Sequence, residues 1–212
     1  MLLFSLLQNP LILVGWLLGL IIAITVHEFF HAFTAEKLGD PTAKYLGRLT
    51  LNPLAHLDPL GTLFLLFVGF GWGKRVPYNP GYIKSGKWGE LLVALSGPIS
   101  NLVLAFIFAI PYRFAIHSGV DVTVAPWIII TQTIVELNLF LAIFNILPVP
   151  PLDGSKILYL FLPENSKRYL DRVGPYFIIG LFLIIFVLKI DILSYFFTPV
   201  FHWLKYLVNS FP

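Results

Sequence analysis

LILVGWLLGLIIAITVHEFFH, residues 11–31, decides how the rest of the chain is read. Leu11 to Val26 carries no charged residue, and about 20 apolar residues in helix span a bilayer core of about 30 Å. The stretch closes on His27-Glu28-Phe29-Phe30-His31, an H-E-x-x-H pattern. On a helix that pattern puts two imidazoles one turn apart on one face, where both can reach a zinc ion. The carboxylate between them can serve as a general base toward water. In a soluble protein the motif lies on an amphipathic helix. Here it is expected inside the membrane, which points to hydrolysis of something that is itself in the membrane.

Composition agrees. The 212 residues are 58% hydrophobic and 12% charged, with mean hydropathy +0.84, whereas soluble domains average about 25% charged residues. We therefore expect an all-α polytopic membrane protein forming a single membrane-embedded domain over residues 1–212, because no polar stretch is long enough to build a soluble core. The chain has no cysteine, which excludes disulfides, thiolate metal sites and Cys nucleophiles. A cleaved signal peptide is not expected, since no basic region or small-residue cleavage pattern surrounds the first apolar run. The formal charge of +3 comes from loop residues that form no patch, so no nucleic-acid partner is expected.

Hydropathy places transmembrane helices near 11–36, 91–112, 126–147, 174–190 and 192–209. Residues 60–72 are too short to span comfortably and read as a re-entrant segment. With that reading Lys37, Lys44, Arg48, Lys74, Arg75, Lys84, Lys87, Lys156, Lys167, Arg168 and Arg172 share one side, against Arg113 and Lys189 on the other. The asymmetry makes the first side cytoplasmic. His27 then lies roughly 25 Å along the helix from Pro10, at 1.5 Å per residue, within the cytoplasmic leaflet.

A catalytic zinc normally takes three protein ligands. The position six residues after His31, where one soluble class carries a third histidine, is Lys37. The best remaining candidate is Asp153, in Asn145-Ile-Leu-Pro148-Val-Pro150-Pro151-Leu152-Asp153-Gly154, on the same side as the histidines. Three prolines there break the helix, and non-helical backbone at membrane depth belongs where it lines a cavity or is buried in protein. The alternative is an Asp that caps a helix starting at Ser155.

Three motifs together, His27-Glu28-x-x-His31, then Gly97-Pro98-Ile99-Ser100-Asn101, then Asn145-x-x-Pro148 with Leu152-Asp153-Gly154, resemble the site-2 protease family of intramembrane zinc metalloproteases. They run through the first three spans in the family's order, about two thirds of the chain. The resemblance implies one zinc ion held by His27, His31 and Asp153, Glu28 as the base, and Asn101 and Asn145 facing the active-site cavity. With no PDZ-like stretch, the chain looks like the compact prokaryotic branch, set in a cytoplasmic membrane. Its expected partners are a transmembrane protein or peptide substrate and membrane lipid.

Other residues admit two readings. Asn101 and Asn145 either make interhelical hydrogen bonds worth about 1 kcal/mol or hold the substrate backbone or developing oxyanion. His56 and Asp58 either position substrate or oxyanion, with His56 also a resting-state metal ligand, or form a polar turn between prolines. Glu136, ionisable in mid-span, is functional by default, but nine residues from Asn145 it faces away, toward a structural or gating partner such as His202 or Lys205. Gly15, Gly19 and Ala23 form a small-residue stripe that lets helices approach closely. Residues 44–51 read as a short β element near the active site, an edge on which an unwound substrate could pair. A non-proteolytic zinc transporter or regulatory scaffold is the rival class, and it leaves Glu28 without a use.

Overall fold

The structure, a computed structural model, describes residues 8–68, 73–120, 125–188 and 198–206. Helix α1, Pro10–Lys37, begins where Asn9 accepts hydrogen bonds from the Leu11 and Ile12 amides and Pro10 takes the first turn, a position that needs no amide donor. It ends at Gly39, whose φ of +106° lets the Asp40 amide close back on Ala35. The helices that pack against it are α4, Gly86–His117, and α5, Pro126–Ile146. Between α1 and α4 come α2, Thr42–Tyr45, and α3, Pro59–Val68; after α5 come α6, Ser155–Tyr159, and α7, Glu164–Leu188.

Three of these helices, Pro10–Lys37, Gly86–Ala115 and Pro126–Ile146, are long and apolar enough to cross a membrane. They correspond to the first three expected spans. The fourth, 174–190, falls largely on α7, which starts ten residues earlier; half of the fifth, 192–209, lies outside the described residues, and its described half, 198–206, is helical. The exposed side chains of these helices are large and apolar, Val14, Leu18 and Ile21 on α1 and Val103, Ile107 and Ile110 on α4. The buried ones include His27, Glu28, His31, Asn101 and Asn138. That arrangement is the inverse of a soluble domain and is what lipid as solvent demands.

The helix register explains how the chain builds a site. A Cβ on Gly15 would lie 3.0 Å from the Ile130 Cα, and one on Gly19 would lie 3.2 Å from the Ile134 Cα. Helices α1 and α5 therefore run parallel in near-backbone contact. Helix α4 runs antiparallel to α1, since His31 meets Val93 while Ala23 meets Asn101. Gly15→Leu should force these backbones apart and cost about 1–3 kcal/mol, read as a lower thermal midpoint in detergent; an unchanged midpoint would contradict the packing.

Because α1 ends where α4 begins, the intervening segment starts and finishes at the same end of the bundle. The Leu57–Gly73 bridge and the Lys74 amide on the His56 carbonyl at 2.7 Å join both ends of the 58–72 stretch. Of the segment 60–72, expected to be re-entrant, residues 69–72 lie outside those described.

The β element expected at 44–51 is not a strand. Asp40 accepts from both the Thr42 amide and its hydroxyl and starts a helical turn. The amides of Tyr45, Leu46, Gly47 and Arg48 then bond back to Pro41, Thr42, Lys44 and Ala43, with Gly47 at φ +68°. Donors satisfied locally leave no edge to pair. Extended backbone appears instead at 73–79, where the Arg48 guanidinium clasps the carbonyls of Ala55, Lys74 and Arg75.

Glu136 meets Lys205, one of its two expected partners, and also accepts from Gln132 at 3.0 Å. Phe201 and Leu204 pack beside that pair on Ala105, Ala109, Val135 and Leu139, so the 198–206 helix packs against both α4 and α5.

Candidate metal centre

The two histidines of α1 project toward α4 at the level of Gly97. His31 Nδ1 lies 2.7 Å from the Val93 carbonyl oxygen and His27 Nδ1 lies 2.6 Å from Asn101 Oδ1. A carbonyl only accepts, so His31 carries a proton on Nδ1, which leaves Nε2 as the nitrogen able to bind a metal. The two Nε2 atoms lie 3.0 Å apart, and Asp153 Oδ2 sits 3.0 Å from that of His27 and 3.3 Å from that of His31. Three lone-pair atoms this close repel unless a proton or cation lies among them. Tetrahedral zinc with bonds of about 2.0–2.1 Å would set its ligands ~3.3 Å apart. The donor set and its spacing fit zinc.

The space for an ion comes from a missing side chain. A Cβ on Gly97 would lie 2.5 Å from His31 Nε2 and 2.6 Å from His27 Nε2. Glycine therefore leaves open the point toward which both imidazoles aim.

Asp153 arrives from the far end of α5. That helix stops at Ile146, and the chain turns through Pro148, a cis Pro150–Pro151 bond and Asp153. The Gly154 amide donates to the Asn145 carbonyl at 2.7 Å, and a Cβ on Gly154 would fall 2.0 Å from the Ile146 carbonyl oxygen. Glycine is needed here for space, since its backbone is in an ordinary helical conformation. Gly174 of α7 abuts Pro150 equally closely, and Lys156 bonds Glu90 of α4 at 3.7 Å. Burial alone would push Lys156 down, but Tyr78, Glu90 and Asp171 around it hold it above an ordinary lysine. Burial likewise opposes ionisation of Asp153, and the facing His31 and His27 outweigh it, holding the carboxyl well below the usual range.

Glu28 is buried beside the histidines. Its Oε2 accepts from the Val76 amide at 2.9 Å, so the extended 73–79 segment runs past the carboxylate. The same segment is anchored beyond the site by the Asn79 amide on Asp40 Oδ2 at 2.6 Å.

The remaining expected residues separate. Asn101 is fully buried against His27, with its oxygen on His27 Nδ1 and its Nδ2 on the Ala23 carbonyl and Asn138 Oδ1. Asn145 donates to Leu141 O within its own helix. His56 is fully buried and bonds the Thr50 carbonyl through Nε2 at 2.8 Å, outside the cluster of His27, His31 and Asp153. Asp58 accepts from the Gly61 amide at the start of α3. Gly97 and Asn138 are the contributors whose part the sequence reading did not bring out. Asn138, a polar side chain in an apolar span like Asn101 and Asn145, gave the same signal.

Comparison with known proteins follows this geometry. The sequence pattern of peptidase family M50 matches residues 15–188. The chain is 40% identical over 192 residues to a Bacillus subtilis protein named "Putative zinc metalloprotease YwhC", covering 85% of this chain and 84% of that protein. It is 30% identical over 203 residues to "Putative zinc metalloprotease Rip2" of Mycobacterium tuberculosis, covering 92% and 72%. A third relative, "Zinc metalloprotease MJ0392" of Methanocaldococcus jannaschii, is 25% identical over 165 residues, covering 78% and 38%. No solved structure gives a significant match.

Proposed function

This chain belongs to peptidase family M50, the site-2 protease family, and is a zinc metalloprotease of the membrane; from that premise we propose that it hydrolyses peptide bonds of transmembrane protein substrates within the bilayer. The observation that carries the reading is the convergence of His27 Nε2, His31 Nε2 and Asp153 Oδ2 inside a three-helix core, with Glu28 buried alongside. A metalloprotease with two of its ligands on a spanning helix and the third on the turn that follows another meets its substrate at membrane depth. The lysine and arginine asymmetry supports placing the site toward the cytoplasmic face of a prokaryotic membrane.

When bound, zinc supplies a Lewis acid that polarises water and the scissile carbonyl. His27, His31 and Asp153 hold it, and their carbonyl and amide partners fix the imidazole rings. Glu28 accepts the proton of the attacking water and delivers it to the leaving amine. In this reading Asn145, at the end of α5 beside the Asp153 turn, holds substrate backbone, and Asn101 serves His27. A soluble peptide needs none of this burial, and a transporter needs no base.

The test is cleavage in reconstituted vesicles of a peptide with a transmembrane segment. We expect cleavage that is lost on chelation and restored by zinc, with no zinc flux across the vesicle. Asp153→Ala should lower zinc affinity at least tenfold, by analogy with the 10–100-fold lost even when outer partners of a ligand are removed. Unaltered affinity would remove Asp153 from the ligand set. Efficient cleavage of a soluble peptide alone, with the membrane-embedded one untouched, would overturn the proposed substrate.

A further inference from the structure

Two fully buried amides stand in line behind His27. Asn138 of α5 donates from Nδ2 to the Ile134 carbonyl of its own helix at 2.9 Å, and its Oδ1 accepts from Asn101 Nδ2 at 2.9 Å. Asn101 Nδ2 also donates to the Ala23 carbonyl at 3.2 Å, which leaves Asn101 Oδ1 facing His27 Nδ1 at 2.6 Å. Both amides show no exposure, so no solvent offers an alternative partner.

The direction of this chain of bonds is not free. The two backbone carbonyls, of Ile134 and Ala23, accept and cannot donate. The first compels Asn138 to present its NH2 to Ile134 and its oxygen to Asn101. That oxygen and the Ala23 carbonyl then compel Asn101 to present its NH2 to them, and its oxygen to His27. An oxygen at 2.6 Å requires a proton on His27 Nδ1, and the neutral ring is left with a bare Nε2 aimed at Asp153 and His31.

We propose that Asn138 is a positioning residue for the metal centre, setting the tautomer of His27 through Asn101. Three helices meet in this relay: Asn138 on α5, Asn101 on α4, His27 on α1. Its logic matches that of His31, whose Nδ1 is fixed directly by the Val93 carbonyl. Metal-ligating histidines depend on such outer partners, whose loss typically costs 10–100-fold in metal affinity. The inference rests on the reading of His27 as a ligand.

The experiment uses the full chain in detergent and reads two quantities, zinc affinity by competition with a chromogenic chelator and, by long-range 1H–15N spectra of the zinc-loaded protein, which His27 nitrogen carries the proton. Wild type should show the proton on Nδ1. Asn138→Leu, close in size but without an acceptor, should show mixed tautomers and about tenfold or weaker zinc binding. Asn138→Asp, which keeps an acceptor oxygen at the same point, should recover most of both. Should the Leu variant not fold, Asn138→Ala set against Asn138→Asp decides by the same readouts. Wild-type affinity with an unaltered tautomer in Asn138→Leu or Asn138→Ala overturns the relay. His27→Ala separates the premise: if it leaves zinc affinity unchanged, His27 is not a ligand and the underlying reading fails; if it abolishes binding while the Asn138 variants do nothing, only the relay fails.

Discussion

Glu28→Gln leaves zinc bound at close to wild-type affinity and removes proteolysis. Glu28 is not among the three converging ligand atoms, and its Oε2 accepts a hydrogen bond from the Val76 amide at 2.9 Å, a bond that the glutamine oxygen can also accept. The substitution therefore keeps side-chain shape and the contact to the 73–79 segment while deleting the proton acceptor. General acid–base groups contribute typically ~10²–10⁴-fold, and in the proposed mechanism one carboxylate both takes and returns the proton, so we expect a loss toward the upper end. Single-turnover cleavage of a membrane-embedded peptide, together with metal analysis of the same preparation, measures both. Retained activity with retained zinc would remove Glu28 from the mechanism. Loss of zinc would make Glu28 part of the metal's support.

What could be read from the sequence divides along physical lines. Contacts set by helix periodicity were legible: His27 and His31 fall on one face because four residues make one turn, and Gly15 and Gly19 do bring α1 against α5. Asp153 was legible because prolines and a glycine break an apolar run at the right end of the bundle. Rotation of one helix about its axis against two neighbours was not. Asn101 and Asn145 share a residue type and a span-like setting, yet one supports His27 and the other bonds within its own helix. Asn138 follows the same rule, and its role needs the register of three helices at once. The 44–51 stretch failed for a local reason. Its β-branched and aromatic content is modest, and the bonds of Asp40 to Thr42 together with Gly47 favour a helical turn.

Gly97→Ala tests the same centre from a residue that coordinates nothing. Its added methyl would lie 2.5 Å from His31 Nε2 and 2.6 Å from His27 Nε2, inside contact distance of both nitrogens. Neither ring can turn aside cheaply. His31 is tied by Nδ1 to the Val93 carbonyl on the same helix as Gly97, and His27 is tied to Asn101 one turn further along it. Moving α4 outward would break both bonds and unpack its contacts with α1 and α5. We expect the variant to fold, since one methyl in a core costs about 1–3 kcal/mol, but to bind zinc too weakly to survive purification and to lack activity. Metal content, thermal midpoint and chelator competition distinguish the outcomes: a folded variant carrying one zinc per chain would place the metal elsewhere, whereas Gly97→Ala that loses zinc with a midpoint close to wild type locates the ion between α1 and α4, in the space this glycine keeps open.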